Sequence, residues 1–310
     1  MSLQDQLNAD RSQAKSLEEA EARIAEQKAA GKRRRIAAIA APIIVVCIAF
    51  VIVLMKLIIP GQKLSKAKTL IDSGDYKAAY ILLDSIDYRN SRELQESIKP
   101  QYRIALISEA EVGSYVFFGS YEQDNDTSDG KEDIEWIVLA KEGNKALIIS
   151  KYALDCKLYH TSMAAVTWET CSLRQWLNGP FLNTFSDEER NFISDTAVTA
   201  DKNPSYSTSP GNDVTDKVFL LSIAEVYRYF GSDEARTCEP TEYAIAQGVW
   251  KSSSHSTGGS GTCCWWLRSP GSCSDHAALV LGDGAVEDDG RGVFNILGGI
   301  RPAVWIDLGS

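Results

Sequence analysis

The chain has 310 residues, 44% hydrophobic and 24% charged, with a formal net charge of -10. Its 7 Trp, 12 Tyr and 9 Phe can fill a sizeable core, which excludes a disordered chain for most of its length. Residues 57 to 310 hold 23 Lys/Arg against 36 Asp/Glu, and this acidic bulk excludes a nucleic-acid partner, since phosphate binding needs clustered positive charge.

Residues 1–35 are dominated by Ala, Glu, Gln, Lys and Arg, with sparse apolar positions at Leu3, Leu7, Leu17 and Ile24. They read as a polar helix on the cytoplasmic side. Residues 36–59 follow, IAAIAAPIIVVCIAFVIVLMKLII, and their first 20 residues carry no charge. At about 1.5 Å per residue that stretch crosses a hydrocarbon core of roughly 30 Å. It is too long for a signal-peptide apolar region of about 7–15 residues, and no small-x-small cleavage pattern follows Lys56. Lys32, Arg33, Arg34 and Arg35 precede it, which places the N-terminus in the cytoplasm and the C-terminal domain outside the cell. The expectation is a single-pass protein of the cell membrane, with the lipid bilayer contacted through residues 36–59.

Residues 61–112 are rich in helix formers. Within them AKTLIDSGDYKAAYILLDSI resembles one tetratricopeptide-type helical hairpin through the spacing of Ala67, Leu70, Gly74, Tyr76 and Ala79. A further helix from about Ser91 is interrupted by Pro100. One and a half repeats fall short of the three or so that a solenoid needs, so the segment reads as a stalk.

From residue 113 strand and turn signals take over and run to 310. SYVFFG, DIEWIVLA and KALIIS form an antiparallel meander. Helices follow over CSLRQWLN, opened by Thr170, over EERNFI behind a Ser186–Glu189 capping box, over AEVYRYF behind a Ser222–Glu225 box, and around Glu242 to Gln247. After the polar loop KSSSHSTGGSG come the short strands WWLR, HAALVL, AVED, GVFNI and IRPAVWI. Antiparallel strands around a helical middle make an α+β fold.

IEWIVL, TWETCSLRQWLN with FLNTFSDEE, DKVFLLS, WWLRSPG and GIRPAVWI occur in that order. Over residues 113–308 the chain thereby resembles a bacterial extracytoplasmic family, domain of unknown function 6273. The resemblance implies a C-type-lectin-like fold, similar to the sulfatase-modifying-factor (formylglycine-generating enzyme) fold, with the C-terminal strands and loops facing the ligand. It implies no activity.

Trp265 and Trp266 are adjacent on a strand and point to opposite faces, so one belongs to the core and the other can stack on a ligand. Arg268 shares the face of Trp266 and can grip a carboxylate, or else Arg268 and Arg301 pair with acidic residues to pin the Ser269-Pro270-Gly271 turn. The ligand face is expected at Trp266, Arg268, Asp275, His276, Asp283 and Arg291, the last four on loops and turns presented by the scaffold. The acidic stretch Asp124 to Asp133 fails both calcium-loop registers. Counting from Asp124 puts Asp129 where the turn glycine belongs, and counting from Asn125 puts Trp136 at the last ligand position. It reads as a solvated hairpin loop.

Cys47 lies in the apolar run, and Cys156, Cys171, Cys238, Cys263, Cys264 and Cys273 lie outside it. Six permit three disulfides, in any of about 15 connectivities, or remain partly buried thiols. Zinc at Cys263, Cys264, Cys273 and His276 is disfavoured because neighbouring cysteines chelate one ion awkwardly. The cysteine spacing departs from that of the formylglycine-generating enzymes. His160, His255 and His276 accompany no G-x-S-x-G or H-E-x-x-H motif, and the Gly-rich pieces lack a phosphate-loop lysine. No cofactor, metal or catalytic residue is assigned. The expected function is non-catalytic recognition of an envelope glycan, peptide or protein, with a homo-oligomer as an option. The alternatives are an envelope enzyme and a structural scaffold.

Overall fold

A computed structural model describes residues 2–252, 261–294 and 298–309. The chain divides into two compact units, Met1–Ser73 with Ile81–Arg92, and Gly74–Tyr80 with Glu93–Ser310.

In the first unit, α1 (Leu3–Val53) passes through a π-helical turn at Leu54–Ile58 into α2 (Ile59–Asp72). Pro60 falls in the first turn of α2, directly after the π-helical turn. This helix is long and apolar enough to cross a membrane by length and composition. Its apolar side chains face outward: Val46 is 66% and Phe50 61% exposed.

The second unit takes in more than the predicted 113–310. α3 (Tyr76–Asp84) and α4 (Ser91–Ser97) are each divided between the two units, and α5 (Lys99–Glu109), with Pro100 in its first turn, lies wholly in the second. α5 joins the globular unit because Ile104 and Ile107 enter its core. Buried Arg103 adds an ion pair to Glu189 at 3.3 Å and another to Asp133.

Two five-stranded sheets carry the core. The first has the order β1-β2-β3-β12-β7, from β1 (Tyr115–Tyr121), β2 (Glu132–Glu142), β3 (Lys145–Ser150), β12 (Ala303–Asp307) and β7 (Val218–Phe219). Its ladders are antiparallel, and β2 buries Ile134, Trp136 and Val138 in alternation, as one covered face requires. Gly119 sits at a bulge in β1 with φ 66°, and a Cβ there would lie 2.2 Å from the Phe185 ring.

The second sheet has the order β10-β9-β8-β11-β4, from β10 (Val286–Gly292), β9 (His276–Val280), β8 (Trp265–Pro270), β11 (Gly298–Ile300) and β4 (Asp155–Lys157). Only the β11–β8 contact is parallel among these ladders. A small third sheet pairs β5 (Thr196–Val198) with β6 (Val214–Asp216). Of the predicted strand GVFNI, Gly292 ends β10, Val293 and Phe294 form a turn, and residues 295–297 lie outside the described residues.

The helical middle comprises α6 (Ser172–Trp176), α7 (Asp187–Phe192), α8 (Ile223–Tyr229), α9 (Asp233–Arg236) and α10 (Glu242–Ala246). Both capping boxes form, Ser186 with Glu189 and Ser222 with Glu225. α6 opens on Cys171 rather than Thr170, whose side chain instead closes a box with Thr167 over the preceding 3-10 turn.

Candidate functional site

The site begins with what β8 does to its own motif. Every residue of Trp265–Pro270 is buried, because β8 is the central strand of its sheet and is covered on both faces. Trp265 and Trp266 are both 0% exposed. Trp265 donates its indole N–H to the Arg236 carbonyl at 3.1 Å and lies 5.0 Å from the Arg301 guanidinium. Trp266 donates to the Lys157 carbonyl at 3.0 Å and meets the Tyr159 ring edge-on at 5.5 Å.

Arg268 is likewise internal. It forks onto Glu225 through both terminal nitrogens, reaches Asp201 Oδ2 at 3.2 Å, and donates to the Leu220 carbonyl at 3.0 Å. Glu225 is the capping-box residue of α8, so Arg268 fastens that helix start to the sheet. Arg301 donates to the Ser150 and Arg236 carbonyls rather than to a carboxylate. Neither Trp266 nor Arg268 presents its side chain to solvent, and the expected face cannot include them.

The other four predicted residues are separated by the β9–β10 hairpin. Asp275 lies at one end, in the turn from β8 to β9, with His276 beside it as the first residue of β9. Asp283 lies at the other, where its carboxylate accepts the Ala285 amide at 3.0 Å and shapes the turn. The five residues of β9 span about 13 Å at roughly 3.3 Å per residue, too far for one small-molecule site. Arg291 is held on β10 by both oxygens of Glu287, at 2.6 and 2.5 Å, and its neighbour Gly292 pairs with His276.

One cluster emerges at the first end. Cys273 Sγ lies 2.7 Å from His276 Nδ1, and Asp275 Oδ1 lies 3.1 Å from the same nitrogen. Backbone bonds pin the turn: Gly271 N–H to the His276 carbonyl at 2.8 Å, Ser272 to Asp289 at 2.7 Å and Val293 to Asp275 at 2.9 Å. Gly271 is required there, since a Cβ would sit 2.5 Å from the Asp289 carbonyl oxygen.

The Asp275 carboxylate, hydrogen-bonded to the thiol, holds the Cys273 pKa above the ordinary cysteine range. The same bond, with help from His276, holds the Asp275 carboxyl low. Sulfur and carboxylate thus meet one imidazole nitrogen instead of bracketing the ring. A sulfur, a nitrogen and an oxygen within 4.8 Å of one another form a donor set that could hold a borderline metal such as zinc. Sequence reasoning placed Cys273 in an awkward zinc set and did not join it to Asp275. The C-x-D-H spacing inside a turn was the available signal.

All seven cysteines are free. Cys238 and Cys263 are buried close enough to share a thiol hydrogen bond, which pushes the Cys263 pKa well up. Burial pushes Cys156 and Cys171 to about 12. His160 Nδ1 accepts the Ser172 amide at 3.1 Å, and His255 lies outside the described residues.

Fold and site together define an α+β protein with antiparallel sheets and a long apolar N-terminal helix. The family described as Domain of unknown function (DUF6273) matches residues 143–308, more than half of the chain, and the chain belongs to that family. The match begins 30 residues later than the expected start at 113, after β2, although β1 and β2 complete the same sheet. No curated protein and no solved structure matches the chain.

Proposed function

We propose that this chain is a single-pass membrane protein, N-terminus in the cytoplasm, that displays a non-catalytic recognition domain of C-type-lectin-like architecture to the cell envelope. The apolar helix behind Lys32, Arg33, Arg34 and Arg35 supports the anchor and its orientation. The return of β12 to pair with β3 supports the fold reading. Its ligand class is an envelope glycan, peptide or protein.

One observation carries the recognition reading. Asp275 and His276 stand on a turn pinned by backbone bonds, next to the strand that holds Arg291 against Glu287. Polar side chains on a stiff turn bind with little ordering cost. The full chain in a non-ionic detergent, screened against envelope glycans and surface proteins, should give saturable capture. His276→Ala and Arg291→Ala, folded like wild type, should each weaken it by about tenfold or more. Equal capture by both variants removes this turn from the binding face.

The 2.7 Å contact of Cys273 with His276 favours a second reading, a thiol-dependent enzyme. Its chemistry is unfavourable, because a raised thiol pKa leaves little thiolate near neutrality. Alkylation of Cys273 by iodoacetamide should be slow near neutral pH and accelerate only as the pH rises above the ordinary cysteine range. Fast, pH-independent alkylation around neutrality, lost in Cys273→Ser, would establish the enzyme reading instead.

A further inference from the structure

The mouth of the β1–β2 hairpin gathers three carboxylates. Glu122, Asp124 and Glu132 each place an oxygen within 4.8 Å of the other two. The hairpin register brings them together, since Tyr121 pairs with Glu132. Glu132 Oε2 accepts the Gln123 amide at 2.6 Å and the Asp124 amide at 3.3 Å, and Asp124 Oδ1 accepts the Asp126 amide at 2.8 Å. The cations that reach this hairpin, Lys99, Arg103 and Lys151, pair with Asp133 and Glu135. Among the described residues no ion pair neutralises Glu122, Asp124 or Glu132.

A separate observation points to a ligand. Glu122 is only 9% exposed, and its Oε1 is buried without a hydrogen-bond partner. Burying a carboxylate oxygen with no donor is costly, and two more carboxylates beside it add repulsion. A cation at this point would supply the missing partner and cancel the repulsion together.

An all-oxygen set is calcium's chemistry, whereas magnesium keeps more of its water and demands a tighter octahedron. We propose that the β1–β2 hairpin holds one Ca²⁺ through Glu122, Asp124 and Glu132. The site differs from a linear calcium loop: its ligands come from both arms of a hairpin, so the register of consecutive positions does not apply. The hairpin also connects to α10, since the Tyr243 amide donates to the Gln123 carbonyl at 2.9 Å. Bound calcium stiffens that junction. The site is independent of the ligand-recognition reading of the β8–β9 turn.

The test is calorimetric titration of the chelator-treated full chain in non-ionic detergent with calcium chloride, and in parallel with magnesium chloride. The expected result is one Ca²⁺ per chain with a Kd of about 10⁻⁴–10⁻³ M, the range of extracellular modules, and much weaker Mg²⁺ binding. Glu122→Gln and Asp124→Asn should each weaken calcium binding by about tenfold or more, since ligand charge sets affinity. Absence of saturable uptake, equal binding of magnesium, or folded variants that bind within about threefold of wild type would overturn the proposal. If Glu122→Gln fails to fold, Asp124→Asn carries the comparison. If neither folds, the wild-type Tm decides: a rise with calcium supports the site, and no change overturns it.

Discussion

Arg268→Leu is expected to destabilise the globular unit by about 3–5 kcal/mol, the usual cost of removing one partner from a buried charge pair. The Arg268 side chain is 3% exposed, and Glu225 and Asp201 depend on it from 25% and 31% exposure. Its loss strands both carboxylates, unties the start of α8, and leaves the Leu220 carbonyl without its 3.0 Å donor. Urea unfolding followed by tryptophan fluorescence measures this as a lower midpoint at unchanged slope. The double variant Arg268→Leu/Glu225→Gln should lose less than the sum of the single variants, because the second change removes a charge that the first left unpaired. A single-variant loss below about 1 kcal/mol would mean that water reaches these carboxylates and that the arginine is not a structural tie.

Trp266→Ala should cost a similar amount, about 3–5 kcal/mol, as cavity formation adds to the lost transfer energy of a large ring. The site cannot easily collapse. Tyr159 meets the ring edge-on at 5.5 Å, and a Cβ at Gly298 would already lie 2.4 Å from the indole nitrogen. Trp266→Phe keeps most of the ring and gives up the bond to the Lys157 carbonyl, so its expected loss is nearer 1–2 kcal/mol, about the value of one buried hydrogen bond with a small packing defect. The same denaturant experiment orders the pair. If Trp266→Ala unfolds at the wild-type midpoint, the ring is outside the core and its use as a ligand contact returns.

These two residues show how far the chain could be read. The Trp265–Trp266 alternation assumed a strand with one wet face, as in many antiparallel sheets. β8 instead lies at the centre of its sheet, and both faces are covered. Arg268 read equally well as a ligand grip or an internal tie. Its carboxylate partners stand 67 and 43 positions away, Asp201 and Glu225, so no local spacing reveals them. Glu122 and Glu132 went uncounted as neighbours because only the hairpin register brings them together, whereas Cys273 and Asp275, two positions apart, carried a local spacing signal that went unread.

Features that depend on neighbours within a few residues were readable from the chain. The long apolar helix, the Ser186–Glu189 and Ser222–Glu225 caps, the α+β class and the ordered motifs of the family belong here, because period, capping and turn chemistry act over one or two turns of backbone. Strand order, the covering of each face, and the meeting of side chains from distant segments waited for the folded chain. Burial and charge pairing are settled by which surfaces close on one another, and that choice belongs to the whole core rather than to any stretch of it.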